Sequence, residues 1–283
     1  MFKIVRDKIV AFVSEIGYKI ALFKHARNLP ALEQSDRPIL ARLKKEGVYV
    51  TSLEELGFES SSDMLKAANV LLPRMAKNNQ QEVAQKLPDI LTVTQIPAFA
   101  KWGRSSRLLN IIENYIGLSI AFHGVHLRKD FQNQNQFGTL LWHKDSEDRR
   151  MIKAIIYLND VEDKHGPFEY APLALTSPLT KNFYRIYYLM WKSGYLGIND
   201  ETLSKIVPKS AWKSCPGKAG TVILVDTKRV LHHGTIRTEE RGALFFVYTA
   251  NPPKQPQDCT QYWDDSYAKP DMGQYVDTTT IAV

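Results

Sequence analysis

Apolar residues in the first part of the chain recur every three to four positions, which is the spacing of amphipathic helices. The first such pattern covers residues 1–28 and ends where Leu29 and Pro30 interrupt it. A serine cluster opens the third pattern and supplies favourable helix N-cap residues. The patterns predict helices over residues 1–28, 38–46, 60–79 and 105–116.

The pattern changes after Gly117, where β-branched and apolar residues alternate with polar ones or form short continuous runs. Such runs, separated by polar or glycine-containing turns, are typical of strands. Residues 220–234 read as a strand, a turn and a second strand. The other predicted strands are 48–50, before this region, and 118–131, 152–158, 168–173 and 243–250, with a further one beginning in 139–145.

Two segments depart from the strand pattern. Residues 175–215 are aromatic-rich and predict two helices, the second capped by Asn199 or Asp200. An insertion of this kind often covers an active site. Residues 251–283 have four prolines and no clear period, so we expect an irregular tail that wraps the body or is mobile.

Helices followed by a run of strands predict a mainly β core, a sandwich or barrel decorated by helices. We expect one catalytic domain over residues 1–283. In that domain a helical region, 1–104, packs on a core formed by 105–250. The insertion 175–215 and the tail 251–283 complete it.

Composition limits the class of protein only loosely. The net charge of +7 would suit an anionic substrate, a carrier protein or nucleic acid, although a solvated basic surface is the simpler interpretation. Two cysteines provide neither a disulfide framework nor a cysteine-rich metal site, and they indicate a reduced, cytoplasmic protein.

The N-terminal helix needs a separate interpretation, because its apolar run resembles a signal peptide. Asp7, Glu15 and Lys19 interrupt that run, and it is too short to span a membrane. We expect an amphipathic helix packed on the body, with contact to a membrane surface as the alternative.

The candidate chemistry begins at His143 and Asp145. In an extended segment, residues two apart project to the same side, so both side chains can reach one metal ion. A distant histidine, His232 or His233, follows the turn after a later strand. Two imidazoles and one carboxylate are the ligand set that holds Fe(II) in a facial triad with open positions.

Charged side chains near these groups suggest how a co-substrate would bind. Arg241 begins the last predicted strand and could pair bidentately with a carboxylate, and Arg237 competes for this role. Lys153 follows the His-x-Asp motif on a strand and could also reach a carboxylate, although a structural lysine is the simpler interpretation.

Weaker candidates surround the motif. His123 and His126 could line the pocket from the preceding strand. Trp142 and Tyr157 are pocket walls or core residues, with core favoured. The aromatic segment 183–191 is a candidate substrate lid.

The segments LWHKDSEDRRMIKAIIYLNDVEDKHGPFEYAPL and AGTVILVDTKRVLHHGTIRTEERGALFFVYT resemble the iron-binding core of the phytanoyl-CoA dioxygenase-like family. The similarity covers roughly residues 105–250. It implies a double-stranded β-helix (jelly-roll, cupin-like) core. It also implies that His143, Asp145 and His232 bind iron and that Arg241 binds the distal carboxylate of 2-oxoglutarate. The sequence departs from the family at Tyr170-Ala171-Pro172, so substrate contacts there do not carry over.

The resemblance implies an Fe(II)- and 2-oxoglutarate-dependent dioxygenase that consumes O2 and releases succinate and CO2. Hydroxylation is the expected outcome, with desaturation, ring formation and epimerisation as alternatives. Asp145 argues against halogenation, because related halogenases lack the carboxylate that it provides. The expected substrate is a small-molecule or carrier-bound metabolite. A nucleic-acid-directed dioxygenase and a non-catalytic jelly-roll protein are the alternatives.

Overall fold

The computed structural model describes residues 2–75 and 87–262. The end of the helix predicted over 60–79 and most of the predicted tail lie outside these residues. The helices are α1 Phe2–His25, α2 Arg37–Glu46, α3 Leu53–Leu56, α4 Ser61–Leu71, α5 Pro97–Gly103, α6 Ser106–Ile116, α7 Leu173–Thr176, α8 Phe183–Lys192 and α9 Asp200–Ser204. The strands are β1 Val48–Ser52, β2 Asp89–Thr92, β3 Ile120–Asp130, β4 Met151–Tyr157, β5 Phe168–Ala171, β6 Lys213–Cys215, β7 Thr221–Val225, β8 Leu231–Gly234 and β9 Arg241–Ala250.

Helix ends follow the capping chemistry of the sequence. Ser52 caps α3 by accepting a hydrogen bond from the Glu55 amide at 3.1 Å. Asn199 caps α9 by accepting one from the Thr202 amide at 2.9 Å. Helix α2 ends at Gly47, whose φ of 75° is in the left-handed region that favours glycine.

The strands form two antiparallel sheets. The larger has six strands in the order β1-β7-β4-β9-β3-β2, and the smaller has three in the order β6-β5-β8. The prediction of a mainly β core with helices is therefore confirmed. The short strands β2 and β6 were missed, because neither shows an alternating pattern long enough to stand out from a loop.

The prediction of a strand that begins in residues 139–145 is wrong. Residues Gly138–Leu140 form a 3-10 turn, and the chain then makes two isolated bridges instead of a ladder, Trp142 with Ile198 of the insertion and His143 with His232 of β8. The apolar residues that suggested a strand here do not belong to a sheet. Leu140 is buried in a turn that packs against β8, and Trp142 is buried in a cluster with residues of the insertion.

Successive side chains of the central strands point to opposite faces of the large sheet and so contribute to two different layers. In β4, Ile152 and Ile156 pack in the same core as the helices α4, α5 and α6. Their neighbours Lys153 and Ile155 point to the opposite face and line a cavity. Because both faces of the large sheet are covered, its central strands read as nearly continuous apolar runs.

The helix-side core is centred on aromatic rings. Trp102 of α5 and Phe246 of β9 are fully buried, with ring centroids 4.5 Å apart. A Cβ on Gly103 would come within 3 Å of both Phe122 and Phe246, so the close approach of helix and sheet requires glycine there.

Helix α1 packs on the body, as expected, but not with the expected face. Ile9, Val13, Ile16 and Ile20 are all exposed. The body beneath α1 presents charged groups such as Arg149, which contact the polar side of the helix. Within residues 2–75 and 87–262, no helix is long and apolar enough to cross a membrane.

Truncating the central aromatic side chain should be costly. We expect Phe246→Ala to lower the free energy of unfolding by about 3–5 kcal/mol, because it removes buried apolar surface and leaves a cavity. Urea denaturation measures the change. Tyr184→Ala, on the exposed face of α8, is the matched control and should change stability by less than about 0.5 kcal/mol. Equal effects would contradict this assignment of the core.

Candidate metal centre

A cavity of about 240 Å³ lies between the two sheets. Its apolar wall includes Ile155 and Phe245 of the large sheet and Phe168 of the small one. Its polar lining includes the predicted groups His143, Asp145, Lys153, His232 and Arg241. The fold thus brings together five residues that are separated by up to 98 positions in the sequence.

Backbone pairing with β8 positions the His-x-Asp motif. The amide of His143 donates to the carbonyl of His232 at 2.9 Å, and the amide of His232 donates back at 3.1 Å. Two residues further on, the Asp145 amide donates to the Thr227 carbonyl at 3.0 Å. This short extended segment places His143 and Asp145 on the same side, as their spacing predicts.

The three side chains form a compact donor set. One candidate ligand atom from each of His143, Asp145 and His232 lies within 4.8 Å of the others. Asp145 Oδ1 is 3.6 Å from His143 Nε2, and the two imidazole centroids are 4.4 Å apart. Three nitrogen and oxygen donors at this separation can bind one divalent transition-metal ion.

Hydrogen bonds on the far side of each ring orient both imidazoles. His143 Nδ1 is 2.7 Å from the Leu141 carbonyl, and His232 Nδ1 is 3.0 Å from the Val230 carbonyl. Because a carbonyl only accepts, we assign the ring proton to Nδ1 in both residues, which leaves the lone pair of each Nε2 free. This is the arrangement in which histidine serves as a metal ligand.

Burial and charge keep the donors in their ligand forms. Burial lowers the pKa of His143, and burial together with His143 lowers that of His232 to about 3, so both rings are neutral. Burial alone would favour a neutral Asp145. The ammonium of Lys153 outweighs it and holds the pKa of Asp145 below its ordinary value.

His233 points away from the donor set. Its Nδ1 is 2.9 Å from the Leu140 carbonyl, and its Nε2 is 3.0 Å from Glu169 Oε2. Its ring stacks on Trp142 at 3.9 Å between centroids. The geometry thus brings His232, not His233, to His143 and Asp145, because adjacent residues of β8 face opposite sides of the sheet.

Lys153 reaches a carboxylate, and that carboxylate belongs to Asp145. Its Nζ lies 2.7 Å from Asp145 Oδ2 and 3.7 Å from Glu147 Oε1. Asp145 therefore presents one oxygen to His143 and the other to Lys153. The lysine is placed to orient the carboxylate, and its ammonium compensates a buried negative charge.

A buried cluster of three arginines around Asp130 was not predicted. Asp130 Oδ1 is 2.7 Å from Arg128 Nε, and Asp130 Oδ2 is 2.9 Å from Arg237 Nη1 and 2.8 Å from Arg241 Nη2. One carboxylate against three guanidinium groups leaves an excess of positive charge. The alternation of Arg128 and Asp130 at the end of β3 was the available sequence signal.

Arg241 keeps donors for a further partner. Nε and Nη2 both donate to Asp130, and Nη1 donates to the carbonyl of Gly166. These bonds use three of the five N–H groups of a guanidinium. Arg241 lines the cavity, whereas its predicted competitor Arg237 is not among the described lining residues.

Residues at the end of the described chain also line the cavity. Gln261 and Tyr262, at the end of a 3-10 turn over Pro256–Tyr262, are lining residues. The Tyr262 hydroxyl donates to Glu147 at 3.1 Å, and its carbonyl accepts from Thr94 at 2.7 Å. The irregular sequence of this segment carried no signal of its position.

Only some of the weaker candidates lie at the cavity. His126 lines the cavity, whereas His123 is hydrogen-bonded to Thr249 at 2.6 Å and is not among the described lining residues. Trp142 and Tyr157 are fully buried core residues, as favoured. Among the residues described around the cavity, none belongs to the insertion 175–215, so the lid prediction for 183–191 has no support from the cavity's lining.

Solved structures share this fold. EctD from S. alaskensis with bound Fe superposes with a TM-score of 0.55 at 19% identity, over 80% of this chain and 82% of that one. SnoN, a non-heme alpha ketoglutarate dependent epimerase from nogalamycin biosynthesis, gives 0.52 at 14% identity, over 83% and 92%. HygX from Streptomyces hygroscopicus with nickel, 2-oxoglutarate and hygromycin B gives 0.50 at 15% identity, over 76% and 87%.

No protein-family model and no curated protein sequence matches the chain. At identities this low, the structural likeness establishes the fold. The assignment to the phytanoyl-CoA dioxygenase-like family stays a prediction.

The arginine cluster should make stability depend on Asp130. We expect Asp130→Asn to destabilise the protein by about 3–5 kcal/mol at pH 7, because it leaves buried guanidinium groups without their counter-charge. The three arginines outweigh burial and depress the folded-state pKa of Asp130. Its contribution is therefore complete above the unfolded value of about 3.9 and is lost as the pH falls below it, by up to about 1.4 kcal/mol per unit.

Urea unfolding between pH 7 and pH 3 checks this dependence. The difference between the native protein and Asp130→Asn should narrow below about pH 4. Asp163→Asn, at an exposed site, serves as the control. A difference that stays constant with pH would show that Asp130 is not held ionised by the arginines.

Proposed function

We propose that this chain is an Fe(II)- and 2-oxoglutarate-dependent oxygenase of the phytanoyl-CoA dioxygenase-like family, built as one catalytic domain on a double-stranded β-helix core. The observation that carries the proposal is the donor set of His143, Asp145 and His232. Its two free Nε2 atoms and one carboxylate oxygen face a buried cavity. Such a triad binds Fe(II) on one face and leaves the remaining positions open.

The neighbouring folds support the choice of metal and co-substrate. EctD was solved with Fe and HygX with nickel and 2-oxoglutarate, and SnoN depends on alpha ketoglutarate. When bound together, Fe(II) and 2-oxoglutarate supply the oxidation of a C–H bond by O2, with release of succinate and CO2.

The chain's own residues would orient the co-substrate. Arg241 lines the cavity, and its guanidinium suits pairing with the distal carboxylate. The surplus positive charge around Asp130 lowers the cost of burying that carboxylate. Phe168, whose ring stacks on His232 at 5.4 Å, and Phe245 provide an apolar wall that excludes water.

Asp145 bears on the reaction type. As a third protein ligand it takes the position that halogenases of this superfamily leave open, so we propose hydroxylation of a C–H bond. Ion pairing with Lys153 keeps the Asp145 carboxylate ionised and directs Oδ1 toward the imidazoles. The substrate we propose is a small-molecule or carrier-bound metabolite.

The test of the proposal is spectroscopic. Anaerobic addition of Fe(II) and 2-oxoglutarate should produce a weak visible charge-transfer band, because 2-oxoglutarate chelates an iron held by a facial triad. Asp145→Ala should lose the band and abolish succinate formation. Asp163→Ala, at an exposed carboxylate, should retain both.

Two results would overturn the proposal. A folded native protein without the band would favour a non-catalytic jelly-roll protein. Unchanged succinate formation by Asp145→Ala would show that the donor set is not the metal site. Filter binding with DNA and RNA checks the nucleic-acid alternative, which retention of either polymer would favour.

Arg241→Met separates co-substrate binding from metal binding. We expect it to weaken 2-oxoglutarate binding by roughly 30-fold or more, because truncating one partner of a buried charge pair costs about 2–5 kcal/mol. Calorimetric titration with Ni(II), then with 2-oxoglutarate, measures both steps, and metal affinity should stay unchanged. Arg185→Met, on the exposed side of α8, is the control. Unchanged 2-oxoglutarate affinity would exclude Arg241 from this role.

A further inference from the structure

Helix α1 is amphipathic, but its apolar side faces solvent instead of the protein. Its large apolar side chains face solvent, with 43% of Ile16, 67% of Phe12 and 73% of Phe23 exposed. Exposed apolar residues are ordinary when scattered, but a contiguous patch of this kind marks an interaction site. The residues of the patch, named here the apolar stripe, are Ile9, Phe12, Val13, Ile16, Ile20 and Phe23.

The side of α1 that faces the protein is the more polar one, with Tyr18 and Leu22 half-buried in the same contact. Arg149 donates to Glu15 at 2.8 Å and to Ser14 at 2.7 Å, and its guanidinium lies 4.7 Å from the centroid of the Tyr18 ring. Near the end of the helix, His25 Nε2 is 2.8 Å from Glu113 Oε1. These contacts hold α1 in a fixed rotation, so the exposure of the apolar stripe is imposed by the fold.

Basic residues border the apolar stripe on both sides. At about 100° per residue, the stripe covers an arc of roughly 100°. Lys24 lies along one edge, and Lys19 lies along the other. Over residues 9–27 the sequence has one acidic residue, Glu15, which forms an ion pair with Arg149. The outward face of α1 is therefore apolar at its centre and cationic at its margins.

We propose that α1 binds the surface of an anionic lipid bilayer, lying in its plane with the apolar stripe inserted among the acyl chains. Long cationic side chains at the margins can extend to the phosphate level while their stems stay on apolar surface. An anionic surface complements these charges. A second copy would instead bring like charges together along the same contact.

The experiment is flotation of the full chain with phosphatidylcholine vesicles and with vesicles containing one quarter phosphatidylglycerol. We expect binding to the anionic vesicles, with at least about tenfold weaker binding to neutral ones, and a loss of binding as salt is raised. Ile16→Ser combined with Phe23→Ser should reduce anionic binding at least about tenfold. Lys19→Gln combined with Lys24→Gln should reduce it by a similar factor.

The control isolates α1 from other exposed aromatic surface. Tyr184→Ser combined with Trp191→Ser alters α8, where the two side chains are 76% and 60% exposed. This variant should bind vesicles as the native chain does. All three variants change solvent-facing residues, and an unchanged circular dichroism spectrum and thermal midpoint will confirm that each is folded.

Three outcomes would overturn the proposal. The full chain could fail to bind anionic vesicles, or the α8 variant could lose as much binding as the α1 variant. Alternatively, sedimentation without lipid could reveal a dimer that Ile16→Ser/Phe23→Ser dissociates, which would make a second copy the partner. None of these readouts involves iron or 2-oxoglutarate, so the result is independent of the proposed oxygenase activity.

Discussion

The site depends on the pair of reciprocal backbone hydrogen bonds between His143 and His232. They attach the irregular segment that carries His143 to β8, the end strand of the small sheet. Across the cavity from β8 lies the large sheet. With that pairing in place, the strand alternation of β8 sends His232 toward His143 and its neighbour His233 away. The carbonyls of Leu141 and Val230 then hold both rings with Nε2 toward the cavity. Backbone geometry thus selects the donor atoms.

Compensation of buried charge is the second constraint, because an ionised group withdrawn from water is stable only when it is paired. The structure satisfies this constraint at two positions around one cavity. Asp145 is paired with Lys153, and Asp130 is surrounded by Arg128, Arg237 and Arg241. The charges of Asp145 and Lys153 compensate each other, whereas the three arginines leave an excess of positive charge at Asp130. This excess would favour an anionic co-substrate.

The peripheral elements contact the rest of the protein in ways that their sequence patterns did not indicate. The aromatic insertion 175–215 contributes no described residue to the cavity, whereas Gln261 and Tyr262 of the short turn Pro256–Tyr262 line it. Helix α1 gives its polar side to the protein and its apolar side to solvent, the reverse of what amphipathicity alone would suggest. For the insertion and for α1 the local pattern predicted helices correctly, but it did not indicate which surface each helix would contact.

The sequence by itself determined the elements whose signal is local. It predicted the helices that end at Gly47 and Gly117, the long strands β3, β4, β7 and β9, and the same-side projection of His143 and Asp145. The tertiary structure decided everything that depends on contacts between distant segments. Residues 139–145 do not form a strand, and His232 lies next to the His-x-Asp motif. Three arginines surround Asp130, and the apolar side of α1 faces solvent. Periodicity reports which face of an element is apolar, whereas burial, charge pairing and register depend on what packs against that face.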